Sequence, residues 1–316
     1  MKPNELKKAY QGIIIQPPTP FRTGSFEIDD AAYGKHIKYL LEHYFRGWKM
    51  GDGMIQACGI CGEWDTLNIG ERKHVFDMTM EAVGEQVPVI GTIDSADVRD
   101  AVELAKYAEK IGMAGVFAGP AFYDRPFEDE VITFFKMIGD ATDLGIIVYD
   151  DLYATQFEVT REVLERLIKE VQNLAGFQES VSVVGLTGFE RKLVLKDQIA
   201  MVNGAAWQEP IPSVIMGCGG YLMYIYEMFL PQEAIAILDA IKAKDWEKGM
   251  KQRERLSKLV GFMYKKNGLG DHISRTKLGC ELMGLYESST MRPPKADPNT
   301  SEREEMKTIL KELGYL

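Results

Sequence analysis

Short apolar runs recur along much of the chain, each followed by a longer segment whose apolar positions return every three or four residues. The runs fall at 12–21, 53–59, 87–92, 114–118, 145–149, 174–177, 200–202 and 217–221. Runs of this length, bounded by Gly, Pro, Asp or Asn, predict buried strands. The segments between them predict helices at 31–45, 68–83, 98–111 and 128–142, and a further one after Thr160. Asp29 and Asp30 are placed to cap the first of these, and Thr160 the last. Ala101, Leu104, Ala105 and Ala108 share one helix face, as do Val163, Leu164, Leu167 and Ile168.

Strand and helix alternate about every 25–30 residues, the rhythm of parallel strands joined by crossover helices. Eight such units favour closure into a (β/α)8 barrel of the TIM type over an open doubly wound sheet. Beyond about Pro231 the strands stop, and helices are predicted at 232–244, 245–266, 271–285 and 301–313, with an irregular segment at 291–298. The expected organisation is a barrel over 1–230 and a C-terminal helical extension over 231–316.

Composition narrows the class. The chain has 316 residues, 46% hydrophobic and 27% charged, which suits a large buried core. A net charge of −10 disfavours nonspecific binding to nucleic acid or to an anionic membrane. Four cysteines are too few for a disulfide framework at this length. The charged first residues lack the apolar stretch of a signal peptide, and no apolar run approaches the roughly 20 residues of a membrane span. A cytoplasmic enzyme is the expectation.

In such a barrel the chemistry collects at the C-terminal ends of the strands. Attention therefore falls on Leu174-Ala-Gly-Phe, where an apolar run ends in polar Gln178 and Glu179. Other stretches join it: Gly59-Ile60-Cys61-Gly62-Glu63, Ala121-Phe-Tyr-Asp-Arg-Pro126, Tyr149, Gly217-Cys-Gly-Gly220 and Arg292-Pro-Pro294. In order and spacing these resemble the motifs of the dihydrodipicolinate synthase / N-acetylneuraminate lyase family, and the resemblance covers nearly the whole chain. It implies a lyase acting on pyruvate or another small 2-oxo acid, a homotetramer, and no metal cofactor. It implies a lysine that forms an imine with the substrate ketone, a tyrosine that moves a proton, and a threonine pair that holds the substrate carboxylate.

By that resemblance Tyr149 is the acid/base, and Tyr123 matches a tyrosine that reaches a neighbouring subunit's site. The loop Gly59, Ile60, Cys61, Gly62 cradles a carboxylate, with Trp207 and Gly217 lining the substrate. The sequence departs from the family at the decisive places. Gln178 stands at the lysine position, and an amide nitrogen cannot form an imine. Ile60-Cys61 replaces the threonine pair. Ala154 stands where the synthase branch carries a carboxylate-binding arginine, and Tyr149, Ala154 and Phe157 are closer to the hydratase-aldolase branch. The nearest downstream lysines, Lys192 and Lys196, fall in a helical segment.

Three readings of Gln178 stand open: a changed chemistry, in which the amide donates to an oxyanion; a binding or regulatory protein without catalysis; or an introduced substitution. The accompanying departures at Ile60, Cys61 and Ala154 weigh against the last. Asp94, Asp150, Asp151, Glu179 and Glu209 all fall near strand ends. Together they could hold Mg2+ or Mn2+, although strand-to-helix loops routinely use such residues as caps. Cys58-x-x-Cys61 is half of a zinc site with no second half, and Cys61 is expected to be an inert buried thiol. His36, His43, His74 and His272 fall in predicted helices and are assigned no catalysis.

Overall fold

A computed structural model describes residues 1–180, 194–195, 197–204, 210–215, 217–265 and 271–316. Eight parallel strands close into a barrel in chain order: β1 Gly12–Ile15, β2 Gly53–Ala57, β3 Val89–Thr92, β4 Gly115–Ala118, β5 Gly145–Asp150, β6 Leu174–Glu179, β7 Ala200–Asn203 and β8 Gly220–Met223. β1 pairs with β8 through Gly12↔Gly220 and Ile14↔Leu222, which completes the ring. The expected (β/α)8 barrel is thus observed. The chain divides into two compact units.

The first unit spans 1–16, 47–59 and 67–223, and contains the whole barrel sheet. Its helices form where the pattern and the caps predict. Asn68 Oδ1 accepts from Glu71 N at 3.0 Å, and Glu71 Oε2 accepts from Asn68 N at 2.9 Å, a reciprocal cap on the helix Ile69–Val83. The stripe Ala101, Leu104, Ala105 and Ala108 on the helix Val98–Lys110 is fully buried, as expected of small residues facing a sheet.

Three described helices of this unit escaped the sequence pattern, two of them the short Leu152–Thr155 and Pro210–Ile215. The third, Pro3–Ala9, is opened by Pro3 and by Glu5, whose Oε2 accepts from Lys2 N at 3.0 Å. Its Leu6, and Tyr10 just beyond it, are fully buried. A Cβ at Gly115 would lie 2.3 Å from Leu6 Cδ2, at Gly145 2.7 Å from the same atom, and at Gly176 2.8 Å from Tyr10 Cδ1. Gly115 and Gly145 open their strands, so the helix packs its apolar side chains into the N-terminal end of the barrel. The register slips between Ile146↔Leu174 and Ile147↔Gly176, leaving Ala175 as an extra residue in β6. That bulge fixes the face of everything after it. Gly176 faces Tyr10, and two residues on so does Gln178.

The second unit spans 17–46, 60–66 and 224–316 and is helical. It holds Asp30–Tyr44, Pro231–Lys242, Trp246–Arg255, Ser257–Met263, Asp271–Leu282 and Thr300–Glu312. The single helix predicted over 245–266 is two, parted at Leu256, where ψ is 0°. Buried charge organises this unit. Lys277 and Glu63 form an ion pair with both side chains wholly buried. Lys277 Nζ also donates to Thr290 O at 3.1 Å and stands 4.0 Å above the Phe21 ring. Burial pulls the ammonium below its ordinary range and Glu63 opposes the shift.

Candidate active site

The exit ends of the strands carry a polar lining. Gln178 is paired in register with Tyr149 on one side and Val202 on the other. It is 0% exposed. Tyr10 Oη donates to its Oε1 at 3.1 Å. Burial raises the Tyr10 pKa well above the ordinary tyrosine range, so the hydroxyl keeps its proton and must find an acceptor. The reverse amide orientation would strand that proton. With Oε1 occupied, Nε2 has no hydrogen-bond partner among the described residues.

Two more buried glutamines line the same strand ends. Gln56 Nε2 donates to Thr92 Oγ1 at 2.9 Å, and its Oε1 has no partner among the described residues. Gln16 follows β1, and its Oε1 is likewise unpartnered. A Cβ at Gly59 would sit 2.5 Å from Gln16 Cδ, so a glycine is needed for Gln16 to lie there. Uncharged amides are the ends least costly to bury, yet a buried amide atom without a partner still costs about 1–3 kcal/mol. Such atoms are tolerated where a guest completes them.

Tyr149 Oη donates to Asp151 Oδ2 at 2.7 Å, and its ring lies 5.2 Å from Phe117. Asp151 in turn accepts from Ala154 N at 3.2 Å, fixing it at the start of the short helix Leu152–Thr155. Asp150 Oδ1 accepts from Val159 N at 2.9 Å. Asp94 Oδ1 accepts from Gly119 N at 2.5 Å. Burial lifts the Asp94 pKa to about 6, against the downward pull of that N–H and of Arg72. Among the described residues no three His, Cys, Asp or Glu side chains converge as a metal-binding set. Within reach of the backbone these carboxylates serve as turn and cap acceptors.

The remaining expected residues are dispersed. Tyr123 is 84% exposed on the loop after β4, at φ +97°, with its carbonyl accepting from Gln156 Nε2 at 3.2 Å. Gly217 precedes β8, which begins at Gly220 and not at Gly217, so it lies at the entry end of that strand and not with Tyr149 and Gln178. Trp207, Glu209, Lys192 and Lys196 lie outside the described residues.

Ile60, Cys61 and Gly62 form one turn of 3-10 helix in the second unit. There the Cys61 thiol donates to Tyr224 O at 2.7 Å and packs with Ile273 and Met291. Burial pushes its pKa far above the thiol range, which makes it a poor nucleophile. Gly62 O accepts from Thr19 Oγ1 at 2.8 Å. None of the four cysteines is in a disulfide, and all four are buried. His36 is held by Tyr286 Oη at 2.6 Å and Met228 O at 2.8 Å, a satisfied core histidine.

Sequence reasoning missed Tyr10, Gln16, Gln56 and Thr92. A glutamine inside an apolar run, as in Gly53-Met-Ile-Gln-Ala, was the available signal for Gln56. Nothing local marks Tyr10.

A closed parallel barrel with buried polar side chains at its strand exits has the layout of a TIM-barrel enzyme site. A profile of the dihydrodipicolinate synthetase family matches residues 9–313. The chain belongs to that family, one of class I aldolase-type lyases. It is 25% identical over 290 residues to a 4-hydroxy-tetrahydrodipicolinate synthase of Nitrobacter hamburgensis, covering 91% of each chain. It is 26% identical over 308 residues to one of Syntrophus aciditrophicus, covering 97% of this chain and 99% of that one. Among solved structures, dihydrodipicolinate synthase from Bacillus clausii superposes with a TM-score of 0.83 at 23% identity, covering 98% of this chain and 99% of its own. A monomeric dihydrodipicolinate synthase variant superposes with a TM-score of 0.84 at 23% identity, covering 98% of each chain.

Proposed function

We propose that this chain is a lyase of the family that acts on a small 2-oxo or related carboxylic acid without a lysine imine. One observation carries the reading. At the exit of β6, where the family resemblance puts the imine lysine, Gln178 is wholly buried, held by Tyr10 through Oε1, and keeps at Nε2 an N–H donor with no partner among the described residues. A donor fixed in a water-poor site stabilises a negatively charged oxygen more strongly as charge develops on it. Nε2 would donate to the enolate oxygen that an imine would otherwise replace as electron sink. Tyr149, oriented by Asp151, would move the proton at the adjacent carbon.

The test is trapping. The protein is incubated with pyruvate and a panel of 2-oxo acids, reduced with borohydride, and weighed intact. A covalent adduct on the wild-type chain would sink the reading. Turnover without an adduct, lost in Tyr149→Phe, supports it. Saturable binding with no turnover across the panel assigns the scaffold to a binding or regulatory role instead. Activity lost to a chelator assigns it to Mg2+ or Mn2+.

The family resemblance also leads us to read the chain as a homotetramer. Tyr123 and Phe127, 84% and 78% exposed on one loop, support a contact there. Sedimentation of the double variant Tyr123→Ala, Phe127→Ala should show smaller particles than the parent at equal concentration.

A further inference from the structure

Among the carboxyls of the polar lining that the reading above does not use, Asp94 is held most elaborately. Asp94 stands just beyond β3, 7% exposed. Its backbone is clamped from behind by Arg72, itself 3% exposed, whose Nη1 donates to Asp94 O at 2.8 Å and whose Nη2 donates to Thr92 O at 2.8 Å. Its side chain is fixed from the front by the Gly119 N–H. Burying a guanidinium and a carboxyl at a strand end is costly for folding alone. The clamp does what a reacting group needs, which is to hold one atom in one place.

Gly119 shows what Asp94 faces. A Cβ built there would lie 3.1 Å from Thr155 Cγ2, 3.4 Å from Tyr149 Cδ1 and 3.5 Å from Asp94 Oδ1. Asp94 and Tyr149 therefore both lie against the one spot that a side chain at Gly119 would fill. Tyr149 is in turn the register neighbour of Gln178. The charged group whose field reaches Asp94 is Arg72, from the helix behind it, while the Tyr149 hydroxyl is given to Asp151.

We propose that Asp94 is a second proton-transfer residue of this site, working with Tyr149 beside Gly119 on the hydroxyl of a 4-hydroxy-2-oxo acid. This rests on the lyase reading above. In the cleavage direction the Asp94 carboxylate takes the proton of the C4 hydroxyl. The O–H electron pair becomes the new C=O bond of the released aldehyde, and the C3–C4 bond breaks. Its electron pair becomes the C=C of an enolate, whose oxygen receives the Gln178 N–H. Tyr149 then protonates C3, giving the 2-oxo acid. The proton on Asp94 returns to Tyr149, directly or through Asp151, and resets the site. A carboxyl titrating near pH 6 is half ionised where such a base and acid must exchange roles.

Two half-reactions separate the roles. Exchange of the pyruvate methyl protons in deuterated water, followed by NMR, needs Gln178 and Tyr149 only. Aldol cleavage of 4-hydroxy-2-oxopentanoate and its aryl analogue also needs Asp94. Asp94→Asn keeps the acceptor for Gly119 N–H, so it should fold. It should lose cleavage about 100-fold or more while exchange stays within about threefold, and the acid limb of the cleavage profile near pH 6 should vanish. The wild-type carboxyl, labelled with 13C, should titrate along that same limb, which tests the assignment without any variant. Cleavage by Asp94→Asn within threefold of the parent, or a limb that does not track the carboxyl, overturns the role of Asp94 and leaves the lyase reading standing. Absence of both exchange and cleavage in the parent overturns the lyase reading and this proposal with it.

Discussion

The Tyr10–Gln178 hydrogen bond decides what the amide at the end of β6 presents to the barrel interior. Tyr10→Phe removes the donor and leaves a buried Oε1 unmet, at a cost of about 1–3 kcal/mol in urea unfolding. It also frees the amide to turn, so turnover should fall while substrate binding changes less. The converse substitution restores the missing amine. In Gln178→Lys, burial would depress the ammonium and favour the nucleophilic free base. Borohydride with pyruvate should then give a mass adduct on the variant that the parent lacks. The position of Gln178 was legible because an apolar run stopped at a polar pair. Its partner was not, because Tyr10 lies 168 residues away behind a charged segment with little apolar pattern.

At the scale of elements, alternation of apolar runs and amphipathic segments was enough to place eight strands, since each strand is buried on both faces and each helix on one. The ends shifted where capping and register, not hydrophobicity, set them. β6 runs on through Gln178 and Glu179 because Glu179 still pairs with Asp150 and Asn203. The helix Pro3–Ala9 was hidden because only Leu6 and Ala9 of its seven residues are buried. Leu6→Ala should cost about 2–5 kcal/mol, as it empties the space that Gly115 and Gly145 leave for it. In the second unit, Lys277→Met would leave Glu63 as an uncompensated buried carboxylate. Loss of about 3–5 kcal/mol is expected by chemical denaturation, with Lys277→Met/Glu63→Met recovering part of it. That pair, too, was beyond the sequence pattern: Lys277 reads as an ordinary polar position in a helix until its partner is known.

For the molecule as a whole, buried titratable groups pull stability in opposite directions with pH. Burial lifts Glu227 from 4.5 to about 7. Between those values the folded protein keeps a proton the unfolded chain has released, so this contribution is full below about pH 4.5 and is lost as pH rises through 7. Burial lowers His36 and His272 to about 4. Below about pH 6.5 the unfolded chain takes up protons that these rings refuse, so their effect destabilises as pH falls towards 4. Glu227→Gln should gain on the order of 2 kcal/mol relative to the parent between pH 5 and pH 8, read as a difference in urea midpoints at the two pH values. The hydroxyl–amide bond adds a consequence in time. It joins the chain's tenth residue to β6, so the amide cannot be oriented by any nascent fragment that stops short of β6, however well its early strands have formed. Competence would arrive late and at once, with ring closure, and recovery of activity on refolding should lag behind recovery of helix signal.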